Sequence, residues 1–384
     1  MNILYLGVFP PQFLIQRSGG KIDSFYRASE SLIQGFRNLS DVNLTVITSP
    51  DIVSWPKGPL FVPCETSKEE ELTMVSSLNI SFVKQLWTII SMTRAASRVI
   101  CHNEGQTVVM IPYVVFRHVF TLRLLHWLHP HNVVQTCTVP DIFFPKKRIM
   151  KIVYANTKRM ASKFDAFVLY TEQMSEQFHI EHQQYEVIEG FRVVPDRSPI
   201  PSEHFKVVYA GSLNLNYGVG RLVDAMALLE DSSIELHLYG AGTGETKIQE
   251  ASQKDSRIIY HGRVPNAQAT DAIYGASVLI NPRNADDGEY TKYSFPSKDI
   301  EYLSTGIPTL LCKLPGMPSE YYGYFIDLSE ATPVQIAAAI KQVKEMPVAE
   351  REAFGQAARN FILERMNSTR QAERIVRLFE RVLK

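Results

Sequence analysis

The chain has 384 residues, 45% of them hydrophobic, and a formal net charge of zero at pH 7. This apolar content is sufficient for two domains with full cores. The four cysteines are scattered without a C-x-x-C spacing, which argues against a disulfide framework and a zinc ribbon and fits a reducing cytoplasm. No apolar run approaches the roughly 18 residues that a membrane-spanning helix needs, and we expect residues 1–6 to form a first strand rather than a signal peptide.

Short apolar runs alternate with helical patterns along the whole chain. The predicted strands are 2–8, 43–48, 107–111, 132–136, 166–169 and 186–188 in the first half, and 206–210, 234–239, 258–261, 278–281, 308–312 and 324–327 in the second. Helical patterns lie between them, for instance at 218–229, 266–274 and 297–303. This alternation predicts an α/β fold with two parallel sheets, each covered by helices on both faces.

A stretch rich in Pro and Ser, 194–202, separates the two halves. We therefore predict an N-terminal domain at 1–195, a linker at 196–204, a C-terminal domain at 205–366, and a final helix at 367–384 that returns to the N-terminal domain. In open α/β sheets, ligands bind beyond the carboxyl ends of the strands. The loops that follow the strands are therefore where a functional site is expected.

The loop after the first strand contains the pair Gly19 and Gly20, ahead of a helix that starts near Asp23. Paired glycines allow backbone N–H groups to approach a phosphate closely. Gly-Gly is first of all a turn signal, however, so a plain turn is the simpler interpretation of these residues alone.

Positive charge is concentrated between Leu72 and Phe164, where twelve Lys or Arg residues accompany only two acids, Glu104 and Asp141. Such asymmetry predicts an anionic partner for this part of the chain. Nucleic acid is the weaker candidate, because no nucleic-acid-binding signature is evident. Asp141 follows a predicted strand, and it could either orient an acceptor hydroxyl or cap a helix.

A helix predicted over 82–98 would place its apolar residues on a packed side and its bases on the opposite side. The packed side would hold Phe82, Leu86, Ile89, Ile90, Thr93 and Ala96, and the other side Lys84, Arg94 and Arg98 with Trp87. An ordinary surface helix explains this pattern. The alternative, supported by a second basic run at 146–163, is peripheral contact with an anionic membrane at the inner face of the plasma membrane.

The segment 281–308, NPRNADDGEYTKYSFPSKDIEYLSTGIP, carries the strongest functional signal. A polar loop leads into a helix that opens at Phe295-Pro296-Ser297, and its first turn presents N–H groups and a positive dipole end that favour phosphate. Lys298 and Glu301 share one face of that helix, the lysine suiting a diphosphate and the glutamate ribose hydroxyls. A capped helix with a solvated Lys/Glu pair explains the same residues equally well.

This segment resembles the donor-binding segment of the family 4 glycosyltransferases, retaining enzymes of the GT-B fold. It is most similar to the bacterial branch that builds exopolysaccharide, capsule or lipopolysaccharide and carries the block KYSFPSK-x-x-EYL-x-x-G-x-P, here residues 292–308. The similarity continues through 207–213, 238–242 and 261–265, and it reaches the first half at 165–174 and 187–190.

The resemblance implies two Rossmann-like, doubly wound parallel-sheet domains that face each other across a cleft, the first for the acceptor and the second for the donor. It implies transfer of a sugar from a nucleotide-sugar donor, UDP- or GDP-linked, to a polysaccharide or lipid-linked acceptor, with retention of configuration. No D-x-D motif ends a strand, and Asp286 and Asp287 are interpreted as solvated turn residues. We therefore expect no metal and no cofactor, and fixed cations for the leaving diphosphate.

The residues expected to bind the donor, taken from the resemblance and from the loops above, come from both halves. They are Gly19, Gly20, Gly211, Ser212, Gly240, Gly242, Arg263, Val264, Arg283, Tyr293, Ser294, Phe295, Pro296, Ser297, Lys298 and Glu301. The candidate catalytic residues are Lys298, Glu289 and Asp141.

Two departures from the family pattern leave alternatives open. Many members carry a glutamate at the position of Tyr293, and Glu289 is a candidate substitute; many also carry Arg and Lys where this chain has Ser212 and Tyr217. The alternatives are a GT-B-like sugar-nucleotide epimerase, which needs its own acid/base carboxylates, and a non-catalytic scaffold of a polysaccharide-synthesis complex.

Overall fold

The computed structural model describes residues 1–7, 24–50, 52–68, 71–81, 83–139, 145, 147–190, 194–293, 295–365 and 367–384. Predictions on Gly19, Gly20, Asp141 and Ser294 lie outside the described residues, as does Phe82. The chain divides into two compact units: unit 1 comprises Met1–Arg192 and Ser368–Lys384, and unit 2 comprises Val193–Asn367.

The described strands and helices alternate along most of the chain. The strands are β1 (Asn2–Gly7), β2 (Asn43–Thr48), β3 (Phe61–Val62), β4 (Glu65–Ser67), β5 (Leu72–Met74), β6 (Ser77–Leu78), β7 (Thr107–Ile111), β8 (Val133–Val139), β9 (Ala166–Leu169), β10 (Gln184–Val187), β11 (Phe205–Ala210), β12 (Ile234–Tyr239), β13 (Ile258–Gly262), β14 (Val278–Asn281), β15 (Thr309–Leu311) and β16 (Ile326–Asp327). The helices are α1 (Ser24–Arg37), α2 (Val83–His102), α3 (Phe116–Leu128), α4 (Arg148–Ala161), α5 (Met174–Phe178), α6 (Val219–Met226), α7 (Glu245–Lys254), α8 (Asn266–Tyr274), α9 (Ser297–Leu303), α10 (Pro333–Glu345), α11 (Val348–Arg365) and α12 (Ser368–Leu383).

Unit 1 is built on an eight-stranded sheet in the order β10-β9-β8-β7-β1-β2-β5-β4. Its pairings are parallel except for the antiparallel hairpin of β4 and β5, and β3 pairs with β6 in a separate antiparallel pair. The central strands are almost wholly buried because helices cover them, which explains their continuous apolar runs.

The last helix of the chain belongs to unit 1. A Cβ atom placed on Gly35 of α1 would lie 2.3 Å from the carbonyl oxygen of Ser368, so the glycine allows α12 to pack closely against α1. Arg374 donates to Glu186 at 3.0 Å and to the carbonyl oxygen of Val187 at 2.8 Å, which joins α12 to β10 and its end.

Unit 2 is built on a six-stranded sheet in the order β13-β12-β11-β14-β15-β16, and every pairing is parallel. Alternate residues of β11 pack on opposite faces: Val207 lies in a core with α6 and α10, and Val208 lies in a second core with Tyr274 and Tyr302. Helices thus cover both faces, as in a doubly wound sheet. The structure confirms the predicted α/β class with Rossmann-like parallel sheets.

The prediction for the packed side of α2 is wrong at two residues. Leu86 and Ile90 are 64% and 58% exposed, whereas Ile89, Thr93 and Ala96 are buried as expected. This helix carries apolar residues on more than one side, so its sequence does not fix which side meets the sheet. Among the helices of the described residues, none combines the length and apolar character needed to cross a membrane.

Candidate donor-binding site

The carboxyl ends of three neighbouring strands of unit 2 bring together loops that are distant in sequence. Because β11 lies between β12 and β14, the residues that follow these strands share one edge of the sheet. Gly211 and Ser212 follow β11, Gly240 to Gly244 follow β12, and Arg283 follows β14 closely. This is the edge at which open parallel sheets bind ligands.

Lys298 lies in the first turn of α9 and reaches the end of β11. Its Nζ atom is 3.6 Å from the centroid of the Tyr209 ring, a cation–π contact. A Cβ atom on Gly211 would lie 2.3 Å from the same Nζ, so only glycine allows the ammonium group to come this close to the strand. The helix itself has only seven residues, with Pro296 as its N-cap residue and no side-chain cap.

The loss of solvation on burial lowers the pKa of the Lys298 amine. Desolvation lowers its pKa to about 7, an effect that Asp299 and Glu301 oppose and Arg283 increases. Burial also raises the pKa of Asp299 to about 6, although Asn281 donates a hydrogen bond of 2.6 Å to that carboxylate. An anion bound beside Lys298 would favour its charged form and raise its pKa again.

Arg283 supplies a second positive charge at this edge. Its guanidinium carbon lies 4.4 Å from the ring centroid of Tyr290 and 5.8 Å from that of Tyr217. It interacts electrostatically with both Lys298 and Asp299. We call Tyr209, Arg283, Lys298, Asp299 and Glu301 the Lys298 cluster.

An internal ion pair shapes the loop between β14 and α9. Arg221 of α6 binds both carboxylate oxygens of Asp287, at 2.9 and 3.0 Å, and donates to the carbonyl oxygen of Pro282 at 2.8 Å. The side chain of Asp287 is only 7% exposed and also accepts from the backbone N–H of Asn284, so interpreting it as a solvated turn residue is wrong. Asp286 is exposed, as expected.

The glycine loop after β12 is held by the protein's own hydrogen bonds. The N–H of Gly240 donates to the carbonyl oxygen of Gly262, that of Gly242 to the carboxylate of Glu245, and that of Gly244 to the carbonyl oxygen of Leu213, each at 2.8 Å. A Cβ atom on Gly240 would lie 1.8 Å from the carbonyl oxygen of Gly211. These glycines allow two loops to pack closely, and their N–H groups already have partners.

The remaining predicted residues have varied surroundings. Phe295 is buried and packs on Tyr321 with ring centroids 5.0 Å apart, so only its backbone could meet a ligand. Of the others, Ser212, Arg263, Glu289 and Ser297 are exposed, Val264, Pro296 and Glu301 are half-buried, and Tyr293 is buried. The Oγ atom of Ser212 accepts from the side-chain amide of Asn214 at 2.8 Å.

Sequence reasoning missed several residues that form this site. Tyr209, Arg221, Asn281 and Asp299 were not singled out, although Asp299 is adjacent to Lys298. The carboxylates of Asp299 and Glu301 oppose the lowering of the Lys298 pKa. Asn281 holds the Asp299 carboxylate in place by a hydrogen bond. Within the described part of the chain, no group of three or more His, Cys, Asp or Glu side chains is arranged to hold a metal ion.

Known proteins resemble this chain in two ways, through a family model that matches unit 2 and through solved structures that match the whole fold. Residues 204–345, more than a third of the chain, match the family model of Glycosyl transferases group 1. No curated protein matches the chain.

Solved structures resemble the chain over nearly its full length. A sucrose-phosphate synthase from Thermosynechococcus elongatus is 14% identical with a TM-score of 0.65, covering 100% of this chain and 99% of its own. The lipopolysaccharide outer core galactosyltransferase WaaB is 14% identical with a TM-score of 0.63, covering 99% of both chains. A trehalose-6-phosphate protein from E. coli, bound with UDP-2-fluoro glucose, is 10% identical with a TM-score of 0.64, covering 100% and 99%.

At these identities the likeness shows the fold, which is that of the GT-B glycosyltransferases with their Rossmann-like parallel sheets. The match of residues 204–345 supports glycosyl transfer by unit 2, and the fold of the chain is the one that GT-B enzymes share.

Proposed function

We propose that the chain transfers a hexosyl group from a UDP- or GDP-linked sugar to a hydroxyl of a polysaccharide or lipid-linked acceptor, without a metal and with retention of configuration. The observation that carries the proposal is the Lys298 cluster: two cations, Lys298 and Arg283, meet at the sheet edge of the domain that matches the glycosyltransferase model.

The chemistry follows from where charge develops. When the bond between sugar and diphosphate breaks, negative charge builds up on the leaving phosphate, and fixed positive groups stabilise it most effectively in a water-poor site. Lys298 is desolvated and only partly protonated near pH 7, so the arrival of a diphosphate completes its charge. Arg283, whose guanidinium group lies over the ring of Tyr290, supplies a second positive charge.

Glu301 fits a second role toward the donor. It lies one helical turn beyond Lys298 on the same face of α9 and is half-buried, so its carboxylate can accept from ribose hydroxyls while Lys298 meets the diphosphate. Glu289, which is exposed at the start of the turn Glu289–Lys292, remains the candidate for contact with the sugar.

The proposed class of acceptor and the proposed nucleotide of the donor are supported by similarity to other proteins. The sequence block 292–308 resembles the exopolysaccharide branch of family 4, WaaB is a lipopolysaccharide galactosyltransferase, and the E. coli relative binds a UDP-sugar. These likenesses support a glycan acceptor and a UDP-linked donor for this chain.

A donor screen tests the proposal. Thermal shift and calorimetry with UDP- and GDP-sugars should show one that stabilises the protein, and NMR with a glycan acceptor should then show release of nucleoside diphosphate and a product of retained anomeric configuration. Formation of an isomeric sugar nucleotide without diphosphate release would indicate the epimerase instead. Tight donor binding with no turnover on any acceptor would favour the scaffold, and absence of binding to every nucleotide sugar would contradict both enzyme functions.

A further inference from the structure

Unit 1 presents an unusual concentration of exposed apolar side chains. Of the 24 large hydrophobic side chains exposed among the described residues, 18 lie between Val53 and Val153, and the other six are spread over unit 2. All three tryptophans of the chain belong to this set, with Trp55 53%, Trp87 37% and Trp127 75% exposed. Patches of this kind mark interaction surfaces rather than ordinary solvent-facing helices.

Much of the set lies on three helices that pack side by side, α2, α3 and α4. Arg117 donates to Gln85 at 3.4 Å and His129 contacts Ser97 at 3.0 Å. Both contacts join residues 32 apart in sequence, so α2 and α3 run parallel and in register. The exposed residues of the first half of α2 therefore lie at the same level as those at the start of α3.

The apolar side chains on these helices form small clusters. Phe116 and Phe120 pack with ring centroids 5.7 Å apart, and Trp87 meets Phe61 edge to face at 6.4 Å. The first part of α4 is exposed on all sides, although it carries four large apolar residues. These are Ile149, Met150, Ile152 and Val153.

The charge of the same helices is of one sign. None of α2, α3 and α4 contains an Asp or Glu, and together they carry nine Lys or Arg residues. Five of the bases are exposed on the helix surfaces: Arg94, Arg98, Arg148, Lys151 and Arg159. An apolar surface on helices that carry only positive charge is complementary to an anionic, apolar partner.

We infer that the outer face of α2, α3 and α4, the basic-apolar face, docks on an anionic lipid bilayer. Its aliphatic and aromatic side chains enter the headgroup and acyl boundary, where tryptophan is most stable, and its bases meet the lipid phosphates. A second copy of the chain is a poorer occupant, because two such faces would bring together like charges. The inference concerns unit 1 and is independent of the donor site.

Flotation with lipid vesicles tests the inference on the full chain. The protein should float with vesicles that contain phosphatidylglycerol at low salt, bind pure phosphatidylcholine vesicles weakly, and lose part of its binding at high salt. Because all three tryptophans lie in this region, docking should shift their emission to the blue. Equal binding to neutral and anionic vesicles, or flotation with unchanged emission, would overturn the inference.

Paired variants separate the contribution of the positive charges from that of the apolar side chains. Replacing Arg94 and Arg98 by Gln should weaken binding to anionic vesicles about fivefold for each arginine removed. Ile149→Ser and Ile152→Ser should each weaken it about tenfold or more. All four residues are exposed, so folding should be unaffected, and circular dichroism checks this.

The matched controls are Val334→Ser and Val348→Ser, which remove exposed apolar groups from unit 2 and should leave binding unchanged. Equal losses in the controls and in the Ile149 and Ile152 variants would exclude the basic-apolar face. So would a stable dimer in solution that the Ile149 and Ile152 substitutions dissociate while vesicle binding is absent.

Discussion

A lysine that is only partly protonated near neutral pH responds strongly to an approaching anion. Lys298 is desolvated beside Tyr209 and Gly211, and its pKa falls to about 7. Under the proposed function, a donor diphosphate beside Lys298 would favour the charged form and raise that pKa in the complex. Donor binding would then be coupled to proton uptake above about pH 7.

The first prediction follows from that coupling. Donor affinity should be greatest below about pH 7, where Lys298 is mostly charged before the donor binds, and should fall by up to about tenfold per pH unit above pH 7. It should level off once the pH exceeds the higher pKa of the complex. Calorimetry across this range in buffers of different ionisation enthalpy measures both the affinity and the proton uptake.

Lys298→Arg is the matched control for the pH effect, because arginine stays protonated throughout the range. This variant should bind the donor with little pH dependence above 7. A wild-type affinity that is flat from pH 7 to well above it would contradict the role given to Lys298.

The second prediction concerns Glu301. Glu301→Ala should weaken donor binding by on the order of 1.5–3 kcal/mol, about 10- to 100-fold, because charge-assisted hydrogen bonds to the ribose are lost. Glu350→Ala, at an exposed position of α11, serves as the control. A donor affinity that calorimetry finds unchanged in Glu301→Ala would remove the role assigned to Glu301.

The variant Lys298→Ala should reduce turnover more than donor affinity, because the interaction of Lys298 with the diphosphate strengthens as the diphosphate leaves.

At this scale the sequence predicted part of the site. Lys298 and Glu301 could be found because their spacing places them on one helix face. Arg221 and Asp287 could not, because they are 66 residues apart and only the tertiary fold forms their ion pair. Tyr209 was hidden for a similar reason: an aromatic residue in a buried strand looks like any other core residue until a cation is seen above its ring.

At the scale of elements, the loops that follow β11 and β12 pack closely at one edge of the six-stranded sheet of unit 2. Gly240 has φ of +133°, a conformation that residues with a side chain rarely adopt, and its backbone lies against the carbonyl oxygen of Gly211. The loop after β12 can therefore approach the loop after β11 only if position 240 lacks a side chain. The glycine at position 211 has a different function, because it leaves room for the ammonium group of Lys298.

The third prediction is that Gly240→Ala destabilises unit 2 and weakens donor binding. Backbone strain alone should cost about 1–3 kcal/mol, and the contact with Gly211 adds to it. Gly323→Ala is the matched control, because Gly323 also has a positive φ, +98°, but has no atom within 4 Å of the added Cβ. Urea denaturation should show the larger loss for Gly240→Ala, and equal losses would mean that the contact between the loops is unimportant.

The long strands and the helices of unit 2 were predictable because their apolar periodicity is strong. The bounds of β2, β7, β9, β12 and β14 agree with the prediction, and so do those of α8 and α9. The sequence did not indicate the short strands β3 to β6, which have only two or three residues each and so show no periodicity. Pairing with neighbours, rather than local preference, makes them strands.

At the scale of the whole molecule, unit 1 is completed by a segment that follows unit 2 in sequence. Ile375, Leu378 and Phe379 of α12 are fully buried, and Asn38 donates to Thr369 at 2.9 Å beside them. The stability of unit 1 therefore depends on residues that are separated from the rest of it by the whole of unit 2, Val193–Asn367. Charge and apolar surface are divided in the same unequal way, since the basic-apolar face belongs to unit 1 alone.

The fourth prediction tests this dependence. Phe379→Ala should destabilise unit 1 by about 3–5 kcal/mol, because it leaves a cavity beneath α12. Tryptophan emission reports on unit 1 alone, since Trp55, Trp87 and Trp127 all lie there, so the transition seen by emission should shift to lower denaturant. Glu380→Ala, on the exposed side of the same helix, should change stability by no more than about 0.5 kcal/mol. An unchanged emission transition for Phe379→Ala would show that α12 contributes little.

The late position of α12 also affects the order of events during synthesis. Unit 2 is one continuous segment, Val193–Asn367, and can fold as soon as it has left the ribosome. Unit 1 must wait for Ser368–Lys384, which is made after the whole of unit 2, a delay on the order of 10–40 s at typical elongation rates. During that interval the apolar residues that later pack against Ile375, Leu378 and Phe379 lack this cover, so we expect the nascent N-terminal part to be more prone to aggregation than unit 2.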